Sequence, residues 1–309
     1  MRDLRDWTSD SRNWAKFKPR PGDVVVATSP KCGTTWTQRI VGMLLRQSAM
    51  PFPVQDDQPW IDMRGRPIDE TLAQLDAQTG RRCIKTHTPL DAIPLYDNLF
   101  YIHVARDPRD ACMSWLNHVA SYTPLALAMI NHFGMADETI GRPWPVPPTD
   151  PRDFFRAFLR VPEFAPFQEF TIAEYCNLEN SYWDARRQPN FLLVHYNDLK
   201  SDLEGEMRRI AAFCGIQTPE ELWPELVAAA EFSSMKRDAD ALMPSASIIW
   251  EGGGQRFLNK GTNQRWREFV APEDLDLYEA ETRARMSPSL KAWCENGQGI
   301  AGNPILLPD

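Results

Sequence analysis

Residues 24–41, VVVATSPKCGTTWTQRIV, constrain the fold more than any other stretch. Val24 to Ala27 form an apolar run that reads as a buried strand. A short turn with Lys31 and Gly33 follows, and Thr35 to Gln47 then carries Trp36, Ile40, Val41, Leu44 and Leu45 as an apolar stripe at helical spacing. A strand that turns into a helix in this way aims backbone N–H groups and the positive end of the helix dipole at one spot. That spot attracts phosphate. Gly33 permits close backbone approach there, and Thr34 and Thr35 add hydroxyls.

The rest of the chain repeats the alternation. Cys83 to Lys85, Phe100 to Val104 and Phe191 to Tyr196 read as further strands. Helical patterns cover Pro108 to Val119, Asp153 to Leu159, Ile172 to Arg187 and Leu199 to Phe213, the last closed by Gly215. This order predicts an α/β fold: a P-loop-like, mainly parallel sheet flanked by helices. No composition shift marks a second unit. The 309 residues are therefore read as one domain, with a core over roughly 20–285 and terminal extensions 1–19 and 288–309. Stretches 50–68, 134–151 and 238–264 show neither period, and long unpatterned segments in compact enzymes are often lids or binding loops.

The net charge of -8 argues against a nucleic-acid or anionic-membrane surface, so an anionic ligand needs a local basic pocket. No apolar run approaches the roughly 20 residues of a membrane span. The opening MRDLRDWTSDSRNW lacks the apolar core of a signal peptide. Six cysteines are scattered without a CxxC pair, which reads as reduced thiols in a cytoplasmic protein. Among them Cys32, beside Lys31 at a helix N-terminus, is expected to have a lowered pKa and the highest reactivity.

The turn does not satisfy the Walker pattern GxxxxGK[ST]: its first glycine is absent, and Lys31 precedes Gly33. A lysine placed earlier addresses the other side of a bound phosphate. TSPKCGTTW instead resembles the 5′-phosphosulfate loop TYPKSGTTW of the sulfotransferases that use PAPS, 3′-phosphoadenosine 5′-phosphosulfate. Further blocks follow in the family's order. CIKTHTPL resembles KTHLP, which implies His87 as catalytic base and Lys85 beside it. In FYIHVARDPRDACMS, Arg106 and Ser114 stand eight residues apart and resemble the block that binds the 3′-phosphate. Arginine offers a planar fork for that anion, and serine a further donor.

The resemblance also implies adenine contacts from Tyr196, and from Phe232 opposite Trp36. Family members often carry a hydroxyl two residues before that phenylalanine, where this chain has Ala230. FLNKGTNQRW resembles the closing block RKGxxGDW, with Lys260, Gly261 and Trp266 matched and Asn259, Gln264 and Arg265 departing. Asn259 in place of arginine leaves one fewer fixed charge for the 3′-phosphate. Together Lys31, Cys32 through its backbone N–H, Gly33, Thr34, Thr35, Trp36, Arg106, Ser114, Tyr196, Phe232, Asn259, Lys260 and Gly261 are the implied cofactor contacts.

The resemblance implies a metal-independent, in-line transfer of a sulfuryl group from PAPS to a hydroxyl or amine of a small, partly apolar acceptor. The product nucleotide is 3′-phosphoadenosine 5′-phosphate. His87 takes the acceptor's proton, and Lys31 and Lys85 neutralise charge at the leaving oxygen. Aromatic residues of the unpatterned stretches, Phe52, Trp60, Trp144 and Trp250, suggest the acceptor pocket. The family's dimerisation signature is not recognised, so an oligomer is possible without being signalled. Two alternatives stand beside this reading. A phosphoryl-transferring P-loop enzyme would need Asp107 or Asp198 as a Mg²⁺ partner. A catalytically silent nucleotide binder would have no use for Lys85 and His87. The remaining histidines, His103, His118, His132 and His195, are read as structural.

Overall fold

Four short runs rich in Val, Ile, Leu and Phe build the centre of the molecule: β1 Val24–Thr28, β2 Cys83–Thr86, β3 Phe100–Ala105 and β4 Phe191–His195. They pair in parallel in the order β2-β1-β3-β4. The structure is a computed structural model and describes residues 1–161, 163 and 170–309. Every residue of β1 is buried, which is why the sequence reads there as one apolar run and not as alternation. The alternation is present all the same. Val24 and Val26 pack into one core layer with Ile40 and Leu44 of the helix Thr34–Arg46. Val25 and Ala27 pack into the opposite layer with Leu178 and Tyr182 of the helix Ile172–Ala185. Helices thus cover both faces of one α/β domain, as the pattern of elements predicts.

Two boundaries differ from expectation. Tyr196 does not lie on the strand; it opens the short helix Tyr196–Ser201, because the His195 ring caps that helix by accepting the Asn197 N–H (3.1 Å). The expected helix Leu199 to Phe213 is split. Asp202 leaves helical geometry (φ −145°, ψ 76°) and caps Leu203–Phe213 by accepting the Gly205 N–H.

The unpatterned stretches are built from pieces too short to show a period. Residues 238–264 contain three helices of one turn or so, Ala239–Leu242, Ala246–Ile249 and Gly253–Phe257. Pro59 to Ile61 runs beside β2, with Trp60 bridged in parallel to Lys85. Residues 143–148 include four prolines and stay irregular, although Trp144 is buried. The N-terminal segment packs inward, burying Trp7, Trp14 and Phe17. The helix Pro288–Asn296 buries Leu290 and Trp293, and Arg186 holds the last residues through the carbonyls of Pro304 (2.8 Å) and Leu307 (3.1 Å).

In a parallel sheet all C-terminal strand ends lie along one edge, and ligands of open α/β sheets bind there. That edge carries the β1 turn, Lys85 and His87 after β2, Arg106 after β3 and Tyr196 after β4.

Candidate active site

The β1 turn is held in a conformation that few residues adopt. Lys31 (φ 67°) and Gly33 (φ 109°) are both left-handed. A Cβ on Gly33 would lie 3.1 Å from the Tyr196 ring, so glycine is required for space as well as for φ. The following helix has no side-chain cap and no acidic residue in its first turn. Its leading N–H groups therefore remain available to an anion. Arg106 braces the turn by donating from Nη1 to the Lys31 carbonyl (3.2 Å).

Thr28, at the end of β1, joins the turn to the neighbouring strand. Its hydroxyl lies 2.6 Å from that of Thr34, and its carbonyl accepts from Nδ1 of His87 (2.8 Å). That bond places the imidazole proton on Nδ1 and leaves the Nε2 lone pair as the basic site. Burial, with Lys85 and Lys31 nearby, holds the His87 pKa well below the usual imidazole range. The ring is thus neutral and ready to accept a proton. Lys85 is drawn down to about 8 by burial, against the pull of Asp62, and its Nζ lies 4.8 Å from the centre of the Trp60 ring. Lys31 is drawn down to about 7 by burial, then by Lys85 and Arg106.

Lys31 reaches a partner that the sequence did not disclose. Its Nζ donates to Nδ1 of His118 (3.2 Å) and sits 3.9 Å from the centre of the Phe257 ring. His118 is stacked on Trp115 (4.9 Å between centroids) and flanked by Trp250. Unlike a histidine enclosed in the core, it lines the cavity and contacts a candidate catalytic lysine.

The nucleotide side of the site is ordered by packing. Nε1 of Trp36 donates to the Ala230 carbonyl (2.8 Å), so Ala230 fixes the tryptophan although it lacks a hydroxyl. The Trp36 ring meets Tyr196 edge-on (5.4 Å). Gly261 (φ 64°) lies so close to Phe232 that a Cβ would come within 2.9 Å of the ring. Arg106 Nη2 donates to the Thr262 carbonyl (3.2 Å) and Asn263 Oδ1 (3.0 Å), tying the closing block to the β1 turn. Its Nε is buried with no partner among the described residues. Lys260 is exposed at the rim, and the Asn259 carbonyl accepts from Lys236.

Cys32 departs from expectation. Its side chain is fully buried in the core, the thiol faces the Pro30 carbonyl (3.7 Å), and its N–H donates to Ser29 O (3.3 Å). Burial pushes the thiol well above its usual pKa, with Glu179 adding to the effect. The expected low pKa is overturned because the chain turns this side chain inward, away from the helix end. All six cysteines are free and buried.

Apart from Cys32, every residue implied by the resemblance lines one cavity of about 1010 Å³. The volume is at the upper end for a ligand pocket, about 1,000 Å³. Beyond the nucleotide side it continues between Trp60, Met113, Tyr122, Ile130, Phe133 and Trp250 as an apolar chamber. Arg2, Leu4 and Trp7 close it from the N-terminal segment. Arg265, a departure from the closing block, also lines the cavity. Thr28 and Asp62 gave no signal beyond a strand end and a loop. The one available clue to His118 was its position four residues, one helical turn, after Ser114.

Residues 21–289 match the model of the sulfotransferase domain family. The chain is 32% identical over 308 residues to a glycolipid sulfotransferase of Mycobacterium bovis (strain BCG / Pasteur 1173P2), covering 95% of this chain and 94% of that protein. It is 22% identical to sulfotransferase 1C2 of Rattus norvegicus, over 91% of this chain and 90% of that one. Among solved structures, retinol dehydratase in a complex with retinol and PAP shares the fold, with a TM-score of 0.68 and 23% identity. The alignment covers 89% of this chain and 84% of that one. With its domain matched over most of its length, the chain belongs to the sulfotransferase family.

Proposed function

We propose that this protein transfers the sulfuryl group of PAPS to a hydroxyl or amine of a small acceptor with an apolar portion, releasing 3′-phosphoadenosine 5′-phosphate. The observation that carries the reading is the His87–Thr28 bond, which fixes a neutral imidazole with its free Nε2 beside two lysines at a phosphate turn. In the reaction the acceptor oxygen or nitrogen forms a bond to sulfur while the bond from sulfur to the bridging phosphate oxygen breaks. The acceptor's proton passes to His87 Nε2, and the charge left on the phosphate is met by Lys31 and Lys85. Thr34, Thr35 and the helix N–H groups hold the 5′-phosphate. Arg106, Ser114 and Lys260 hold the 3′-phosphate, and Trp36, Phe232 and Tyr196 the adenine. No step in this scheme calls for a metal.

The acceptor chamber supports a molecule that joins a polar group to an apolar body. The mycobacterial relative, named for glycolipids, supports the same class. The phosphoryl-transfer alternative loses its Mg²⁺ partners: Asp107 is held by Arg109 (2.7 Å) and Asp198 by the N–H groups of Gln298 (2.7 Å) and Gly299 (3.0 Å). Neither carboxylate lines the cavity. A cytoplasmic setting is supported by the free cysteines; no helix among the described residues is long and apolar enough to cross a membrane.

The test is transfer of label from ³⁵S-PAPS to a panel of phenols, alcohols, amines and glycolipids, with and without EDTA. Label on an acceptor, undiminished by EDTA, is the expected result. The 3′,5′-bisphosphate should also raise the melting temperature far more than AMP does. Equal shifts with the two nucleotides and no labelled product would leave a nucleotide binder without this activity.

A further inference from the structure

Segment 59–62 does more than complete the sheet edge. Lys85 N–H donates to the Pro59 carbonyl (3.0 Å), and Ile61 N–H returns a bond to Lys85 O (3.4 Å), docking the segment along the end of β2. Trp60 then meets Lys85 and the His87 ring (5.0 Å, edge-on) from the cavity. Asp62 lies on the opposite, buried side with no exposure to solvent. Its Oδ2 accepts from Thr86 Oγ1 (2.9 Å) and from Thr88 Oγ1, the two residues flanking His87. The Thr88 N–H closes the arrangement on Thr86 Oγ1 (3.0 Å). An asparagine oxygen would accept both hydroxyl bonds, so they do not explain a buried charge. Taking a carboxylate out of water is unfavourable without a counter-charge, and here Oδ1 has no hydrogen-bond partner among the described residues.

We propose that Asp62 is a positioning residue for sulfuryl transfer: it fixes the backbone on both sides of His87 through Thr86 and Thr88, and it supplies a buried counter-charge to Lys85 across the end of β2. The proposal rests on the functional reading above. The groups in play are few. Asp62 faces the like charge of Asp6, and Lys85 is acted on by Asp62. His87 faces Lys85 and Lys31, and Lys31 faces Lys85 and Arg106. Burial pushes Asp62 up to about 6, which still leaves it ionised at neutral pH.

Asp62→Asn keeps the clamp and removes the charge; Thr88→Val keeps the charge and removes half of the clamp. Lys85 is titrated directly by NMR of ¹³C-lysine-labelled protein, and kcat/KM for ³⁵S-PAPS is followed against pH with one acceptor from the panel. In Asp62→Asn the Lys85 titration and the alkaline limb of kcat/KM should both move to lower pH by about one unit, a tenfold change in the protonated-to-neutral ratio. In Thr88→Val the Lys85 titration should stay in place while kcat falls about tenfold at every pH. Superposable Lys85 titrations in Asp62→Asn and wild type would overturn the charge role, and an unchanged kcat in Thr88→Val the clamp. If wild type labels no acceptor, the sulfotransferase reading fails, while the NMR titration still decides whether Asp62 controls Lys85.

Discussion

The base role proposed for His87 rests on a single main-chain oxygen. The Thr28 carbonyl fixes the tautomer, and burial, with two lysines nearby, keeps the ring from charging. His87→Ala should therefore lower turnover by roughly two to four orders of magnitude, the scale of a positioned general base. Affinity for the 3′,5′-bisphosphate should hardly change. Lys31→Ala should reduce both, because this lysine is proposed to touch the phosphate that it helps to leave. Calorimetric affinity measured beside turnover separates the two roles; loss of bisphosphate binding in His87→Ala would make that residue structural. Lys85, His87 and Arg106 were legible in the sequence because their neighbours and spacings are local. His118 was not, since its meeting with Lys31 joins residues 87 positions apart. The reactivity expected of Cys32 failed for a related reason: the sequence places it at a helix end, and only the fold shows which way it faces.

The elements were read from period, and the readings held where a period exists. All four strands are present because their apolar runs are buried from both faces, and the helix Pro108–Val119 has the expected bounds. The ends of Tyr196–Ser201 and Leu203–Phe213 were hidden because side-chain caps, not apolar spacing, set them. Residues 238–264 form helices of four or five residues, too short for a 3.6-residue repeat to register. One such segment carries a prediction. Gly261→Ala places a methyl against the Phe232 ring at a backbone angle that disfavours side chains. It should weaken bisphosphate binding about tenfold by displacing that ring, beyond the ~1–2 kcal/mol that the left-handed conformation takes from stability. Calorimetry and melting, measured together, distinguish the two effects. Unchanged affinity would remove Phe232 from the nucleotide contacts.

At the scale of the whole molecule, the buried lysines make stability depend on pH. Lys31 and Lys85 titrate near 7 and 8 in the folded protein, against 10.5 in an open chain. The unfolded chain thus binds more protons from about 7 upward, and stability rises with pH in that range. Asp62 and Asp110, at about 6, and Glu174, at about 7, act in the opposite sense but at lower pH. Without ligand the protein should melt at a higher temperature at pH 8 than at pH 7; near pH 9 the six buried thiols, all raised by burial, begin to act in the opposite sense as the unfolded chain's thiols ionise. Saturating bisphosphate should flatten the rise, since phosphate charge restores lysine protonation. A flat profile without ligand would mean that the lysines reach solvent.

The same crowding of cations has a kinetic side. Lys31 faces the like charges of Lys85 and Arg106, and burial disfavours charge on both lysines. A departing bisphosphate must restore that repulsion, whereas the sulfated acceptor leaves through the apolar chamber without doing so. Under the proposed reaction nucleotide exit should be the slow event of the cycle, and rapid mixing of enzyme with PAPS and acceptor should give a burst of one sulfated product per site before the steady rate.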